Sequence, residues 1–488
     1  MRRSIPVTRA TRPMSRRAIW PALFVASLAT SAGLSAQEST RVPAVAPQTF
    51  TLGQAMQYAL DHYPTVRAAL EQVEASSAGV SIAKSAYLPR LDTIWQSNRA
   101  TANNVFGQLL PQSVIPAMSG PVLASASAGS VWGSATGTLF SWQPFDFGVR
   151  AVAVEGAEAA VARSRASEAL TRLDVQTAVA TAFLTIVGAQ RTVQAMQADV
   201  TRRELLGRVV HTLVDNQLRP GAEASRSDAE HAAARTRLIQ AQQALTLAQI
   251  TLGGVLGVTS GAVTIDATTL LDRLPSEAPV APPTTMHPLA QVHQAAVDVA
   301  RFQEEIVSRS DLPRLYVQSS VFARGSGANP NGQLEGGLDG LGLERANWAA
   351  GVQVVFPNVF DFATLRARKV VAAASTRAEA ALYDEAVLTV TGQRQAAAAM
   401  VEAARAILAN TPVQLAAAQQ AESQARARYQ AGLASLVEVA DAQNLLAQAD
   451  MQDQLARIDV WRTVLAQAAA NGTLAEFISR TTPPAGAR

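Results

Sequence analysis

The sequence predicts a mainly α-helical fold with a small β part. It reads as two tandem repeats of helix–strand–strand–long helix–helix, with three chains closing a 12-stranded membrane β-barrel that an α-helical coiled-coil tunnel continues. Three observations carry this reading. Sequence landmarks recur in order at fixed offsets. Each copy holds a helical stretch of about 68 residues, which at 1.5 Å per residue spans roughly 100 Å, longer than a compact globule uses. Each copy also holds only two strand-like stretches, with aromatic residues gathered at their ends.

The repeat is read from landmarks. Pro64 and Pro89 of Tyr63-Pro64 and Leu88-Pro89-Arg90-Leu91 lie 25 residues apart, as do Pro288 and Pro313 of His287-Pro288 and Leu312-Pro313-Arg314-Leu315, at an offset of 224. Phe145-Asp146-Phe147 matches Phe360-Asp361-Phe362 at an offset of 215, and Leu218 with Glu223 matches Leu433 with Glu438 at the same offset. Chance matching in alanine-rich helix does not give three pairs in order.

The elements follow from the N-terminus onward. Residues 1–36 carry six arginines and no acid, then an apolar stretch ending in small residues, which is the layout of a secretory signal cleaved after Ala36. Met14 is an alternative start, and a membrane anchor helix is the competing reading, which Pro21 disfavours. Segment 37–48 leads into the first copy, 49–258; a Pro-rich linker covers 259–283, the second copy 284–472, and a disordered tail 473–488. A helix is expected over 52–86 and again over 288–310, followed by strands near 90–100 and 314–324. Loops rich in Gly, Ser, Pro and Asn then lead to strands near 128–143 and 347–358. Long helices follow at about 149–216 and 363–430, with Asp146 and Asp361 placed to cap them. Turns and last helices at 222–256 and 434–470 close the copies.

Periodicity supports packed helices. Leu238, Ala241, Leu245, Ala248, Leu252 and Val255 step by three and four residues, a heptad seam. Leu170, Leu173, Thr177, Ala180, Leu184 and Val187 form another, while Ile186, Val193 and Val200 recur on a displaced face of the same helix. Two seams suit a ring of helices; a two-stranded coil with drift is the alternative. Beyond residue 37 no long uncharged apolar run predicts a spanning helix. Trp95, Trp132, Phe140, Trp142, Trp348 and Phe356 fit aromatic belts at strand ends, although a small soluble sheet would also hold aromatics. Four open strands leave unpaired edges in lipid, so closure needs several chains, and three would give twelve strands and twelve helical columns.

Composition narrows the function classes. There are 41 Lys+Arg against 38 Asp+Glu, and without the first 36 residues 35 basic face 38 acidic ones, so no nucleic-acid footprint is expected. No cysteine means no disulfide, no thiolate metal site and no lipid on an N-terminal cysteine. His62, His211, His231, His287 and His293 lack metal-ligand spacing, and no nucleophile-elbow serine occurs, so neither enzyme activity, cofactor nor metal is expected. The Gly336-Gly337…Gly340…Gly342 run reads as a mobile extracellular loop.

With these residues in view the chain resembles the TolC family of outer-membrane channel proteins. Thr51-Leu52-Gly53-Gln54-Ala55…Ala59-Leu60…Tyr63-Pro64 is similar to the family's opening segment, and Ala86-Tyr87-Leu88-Pro89-Arg90-Leu91 to its barrel entry. The stretch Arg428-Tyr429-Gln430-Ala431-Gly432-Leu433-Ala434-Ser435-Leu436-Val437-Glu438-Val439-Ala440-Asp441-Ala442-Gln443 is the most specific match. The resemblance covers about 49–472.

It implies a homotrimer in outer-membrane lipid of a Gram-negative bacterium, with its tunnel in the periplasm. It further implies a periplasmic adaptor (membrane fusion) protein and an inner-membrane pump or ABC transporter docking at the far end, which is closed at rest. Conduction is then passive. The expected role is exit duct of an efflux pump; a type I protein secretion component is the alternative, and a periplasmic coiled-coil scaffold the reading from another class. The resemblance places Glu438 and Asp441, with the first-copy counterpart Glu223, at a periplasmic aperture where carboxylate rings favour cations. Solvated helix-end charge is the plainer reading of the same residues. Tyr429 matches a closing contact, but Ala434 stands where its arginine partner is usual, so closure uses other bonds. Leu218, Arg219, Pro220 and Gly221, with Gly432 and Leu433, match the adaptor-docking tips.

Overall fold

A computed structural model describes residues 49–481 apart from 118–120, 124–125, 259–262, 268–269, 271–274, 276–281, 330 and 358–359. The expected signal 1–36, segment 37–48, most of the linker and residues 482–488 lie outside the described residues.

The chain runs β1 (Thr49–Phe50), α1 (Leu52–His62), α2 (Pro64–Ser85), β2 (Arg90–Thr101), β3 (Ser130–Phe145), α3 (Val149–Asp215), α4 (Gly221–Leu256) and β4 (Thr264–Ile265). It continues with α5 (Pro288–Ser308), β5 (Arg314–Gly325), β6 (Arg345–Val355), α6 (Phe362–Gln430), α7 (Leu436–Ala470) and α8 (Ala475–Thr481). Two differences from expectation have simple causes. The helix expected over 52–86 is two helices, because Pro64 has no N–H to donate and holds Tyr63 extended at φ −70°, ψ 127°. The tail expected to be disordered from 473 instead forms α8, whose Phe477 is buried edge-on to Trp461 at 6.0 Å.

α3 is 67 residues and α6 is 69, about 100 Å each. α3 packs along α2 and α4 on one side and along α5 and α7 on the other, and α6 packs on α5 and α7. The shorter helices therefore stack in pairs beside the long ones, giving four columns per chain. Both seams read on α3 turn inward, with Leu173, Ala180, Leu184, Val187, Ile186 and Val200 buried. On α6 the seam is a strict heptad, Val390, Ala397, Ala404, Thr411 and Ala418, and most other positions are exposed. Alanine at these places lets helices approach closely, and each fully buried Val, Ile or Leu adds about 1.5–3 kcal/mol. One stretch of α3 is long and apolar enough to cross a membrane by composition, but half of it is buried inside the protein.

β2, β3, β5 and β6 form one antiparallel sheet in that order, and β1 pairs in parallel with β4. Pro144 lies at the register shift between Trp142 and Phe145, where its missing donor costs no ladder bond. Paired residues share a face. Leu91 faces Phe140, which faces Ser319 and then Ala350; Trp95 faces Thr136; Val321 faces Trp348; and Val317 faces Val352. This face carries exposed Leu91, Trp95, Val321, Trp348 and Val352. Trp95 departs from the expected belt, since its partner Thr136 puts it mid-strand.

Asp146 and Asp361 were expected to cap α3 and α6. Asp146 anchors α3 from two residues before the N-cap, Gly148: it accepts from Arg150 N at 3.0 Å and Arg150 Nε at 2.7 Å. Asp361 holds the N-cap position but makes no side-chain cap bond; its copy has Leu365 where Arg150 stands.

Candidate functional site

The two helical hairpins end in turns built alike. At the end of α3, Leu218 N donates to Leu213 O and Gln217 N to Val214 O, both at 2.8 Å. At the end of α6, Leu433 N donates to Arg428 O at 2.8 Å and Gly432 N to Tyr429 O at 3.0 Å. Both are Schellman turns with a left-handed residue after the cap: Gln217 at φ 59° and Gly432 at φ 75°. The next residue in each copy is a leucine turned to solvent, Leu218 at 69% and Leu433 at 70% exposed.

The copies diverge one turn later. Ser435 caps α7, its hydroxyl accepting from Glu438 N at 3.4 Å while Glu438 Oε1 accepts from Ser435 N at 3.3 Å, a capping box. In the first copy Pro220 stands in Ser435's place. It offers neither hydroxyl nor N–H, so Glu223 has no cap to reach back to. Its carboxylate instead crosses to the other hairpin and accepts the Tyr429 hydroxyl at 2.7 Å. Arg219 completes the cluster. Its guanidinium lies 3.8 Å from Glu223, 4.8 Å from the Tyr429 ring centroid, and donates to Tyr429 O at 3.2 Å.

Tyr429 is 1% exposed and sits among Leu206, Val210, Leu436 and Val439. Burial first, and the Glu223 carboxylate second, push its hydroxyl up to about 12, so it remains a donor at neutral pH. The three groups tie the α3–α4 hairpin to the α6–α7 hairpin within one chain. Above them Arg203, buried between α3, α4 and α7, meets Asp199 at 3.0 Å, Glu230 at 2.8 Å and Asn444 Oδ1 at 2.7 Å.

The structure thus brings Glu223, Arg219 and Tyr429 together. Glu223 has its place in this link, while its second-copy counterpart Glu438 is held by its own cap. Glu438 is half exposed, occupied by its cap and 3.9 Å from Arg428, while Asp441 is exposed one turn further along α7. Gly221 opens α4 behind the uncapping Pro220 instead of lying in the turn. Sequence reading placed Arg219 only at the docking tip. The repeat held the missing signal, since Arg219 occupies in the first copy the position that Ala434 holds in the second. The Arg203 cluster had no such signal, because Asp199, Glu230 and Asn444 come from three helices.

Comparison with known proteins completes the picture. The family model for outer membrane efflux proteins matches residues 55–258 and 287–473, once per copy. No curated protein matches the chain in sequence. Among solved structures, VceC from Vibrio cholerae superposes with a TM-score of 0.69 at 18% identity, covering 86% of this chain and 96% of its own. The Campylobacter jejuni channel CmeC gives 0.69 at 14% identity over 88% and 89% of the two chains. The open-state Neisseria gonorrhoeae channel MtrE gives 0.69 at 18% identity over 86% and 89%. These likenesses show that the chain, with its four-stranded sheet and long helical columns, has the fold of these outer-membrane channels. On the match of both copies, the chain belongs to the outer membrane efflux protein family.

Proposed function

We propose that this protein is the exit duct of a tripartite efflux pump. In this reading a homotrimer sits in the outer membrane without a lipid anchor and passes substrates delivered by an inner-membrane transporter through a periplasmic adaptor. The observation that carries it is the Tyr429–Glu223–Arg219 link at the free ends of the hairpins. A tunnel that must stay shut until recruited needs such a tie at its free ends. The exposed leucines Leu218 and Leu433 are the docking knobs, and Glu438 with Asp441 supply carboxylates to the aperture. Arg428 beside Glu438 moderates the cation preference of that ring.

The test is crosslinking in cells from a photoreactive residue at Leu218 or Leu433. An adaptor and a drug-efflux transporter as captured partners support the proposal. An ABC transporter with a secreted protein would move the reading to type I secretion. Recovery of the chain as a soluble, uncrosslinked monomer would discard the duct.

A further inference from the structure

The second face of the sheet is covered by the chain itself. Gln96, Asn98, Ala135, Ser320, Phe322 and Arg324 alternate with the exposed Leu91–Trp348 face and so point to the inside of a closed barrel. All six are buried within a single chain. Their cover is the connection after β2, residues 102–117. Ile115 packs on Ala135 and Phe322, with Leu109 beside it. Asn98 Nδ2 donates to Gln108 O at 2.7 Å, and Ser326 Oγ to Val105 O at 2.8 Å. Arg324 Nη2 donates to Phe106 O at 2.9 Å and Gly107 O at 3.0 Å, its guanidinium 6.0 Å from the Phe106 ring centroid.

The segment is also shaped from within. Gln112 Oε1 accepts from Val114 N and Ile115 N at 2.6 and 2.7 Å, and its Nε2 donates to Ile115 O at 2.8 Å. That turn presents Ile115 to the sheet. A connection spread in solvent needs no such seat. Yet the seat is incomplete. Arg324, 7% exposed, meets no carboxylate among the described residues. Gln96 Nε2, Asn98 Oδ1 and Arg324 Nε are buried without a hydrogen-bond partner among the described residues. Buried polar atoms left unpaired cost stability and so weaken this seat relative to a fully bonded one.

We propose that residues 102–117 are a latch on the luminal wall at the outer end of the barrel, fastened by Arg324. Three seated copies narrow the exit and set an upper size on what passes. The inference rests on the outer-membrane placement proposed above, and its test separates the two.

The chain has no cysteine, so one introduced thiol reports one place. Gln353, exposed and paired with Tyr316 near the helical end of the sheet, lies on the same inner face below the latch. Intact cells carrying Gln353→Cys are treated with a small membrane-impermeant maleimide, or with a polyethylene-glycol maleimide of protein-like bulk. Small-reagent labelling reports access from outside in every variant. The bulky reagent is expected to react slowly with the parent and about tenfold faster after Arg324→Ala, which removes two charge-assisted bonds. Ile115→Asn, which keeps Arg324 but spoils the apolar seat, moves the rate the same way and decides the matter if Arg324→Ala fails to assemble as trimer. Equal bulky-reagent rates in the parent and in every assembled variant overturn the latch. Failure of even the small reagent to label any of them overturns the outer-membrane placement, and the latch with it.

Discussion

Gln217 and Gly432 hold one place in two copies, and the difference is a measure of strain. Both are left-handed, but only glycine does this without a Cβ against the following carbonyl. Gln217→Gly is expected to stabilise the first tip by about 0.5–1 kcal/mol, read as slower hydrogen exchange at the Leu218 amide. Faster exchange there would contradict it. His287 gives a pH dependence. Its Nδ1 accepts from Leu289 N at 3.1 Å and its Nε2 lies 3.2 Å from Ala469 O, which fixes the neutral tautomer protonated at Nε2. Burial first, with Arg394 adding, holds its pKa below the ordinary 6.5, against the Ala469 bond and Asp174 that raise it. The folded state therefore binds this proton less well than the unfolded one. The stability His287 contributes is present above pH 6.5 and is lost as pH falls through the lower folded value. Thermal unfolding of the trimer between neutral and mildly acid pH checks this, and His287→Gln is expected to flatten the profile.

At the scale of elements, the Arg203 cluster joins α3 to α4 and α7 where the hairpins begin to part. Arg203→Met leaves Asp199 buried with Arg237, 3.5 Å away, as its remaining cation, and is expected to cost about 3 kcal/mol. Asp199→Ala added to it should return part of that loss, because the stranded charge is gone; strict additivity in the cycle would show that the two do not interact. Elements are also where the sequence was most and least readable. The 215-residue offset and the seams at Ala241, Ala248, Ala180 and Leu184 carried helix length and packing directly, since burial of a regular period leaves its mark on composition. The break at Tyr63-Pro64 was equally written, but the surrounding periodicity masked it. Glu223 turned on a single substitution, Pro220 for the serine of the other copy, whose effect is the absence of a cap. Arg203, Glu230 and Asn444 were illegible because only the packing of three helices brings them together.

At the scale of the molecule, the four columns of one chain leave α4 and α6 with faces that none of the described residues covers; Ile239, Leu247, Leu388 and Ile407 are exposed on them. In the proposed outer-membrane trimer the apolar sheet face meets lipid and these helix faces meet neighbouring copies. The alanine content that began as composition is the packing of those columns. Asp441 is exposed near the tip. The Tyr429–Glu223 bond is the side-chain link nearest the tips, and with Arg219 and the Arg203–Asn444 bond it holds one hairpin of the chain to the other. Losing it is worth about 1.5–3 kcal/mol per chain.

Single-channel conductance of the purified trimer in planar bilayers tests this most directly. The parent is expected to show a small, cation-preferring conductance. Tyr429→Phe combined with Arg219→Ala should raise the conductance severalfold while the barrel is untouched, and Glu438→Ala with Asp441→Ala should weaken the cation preference. Conductance unchanged by the first pair would contradict the account.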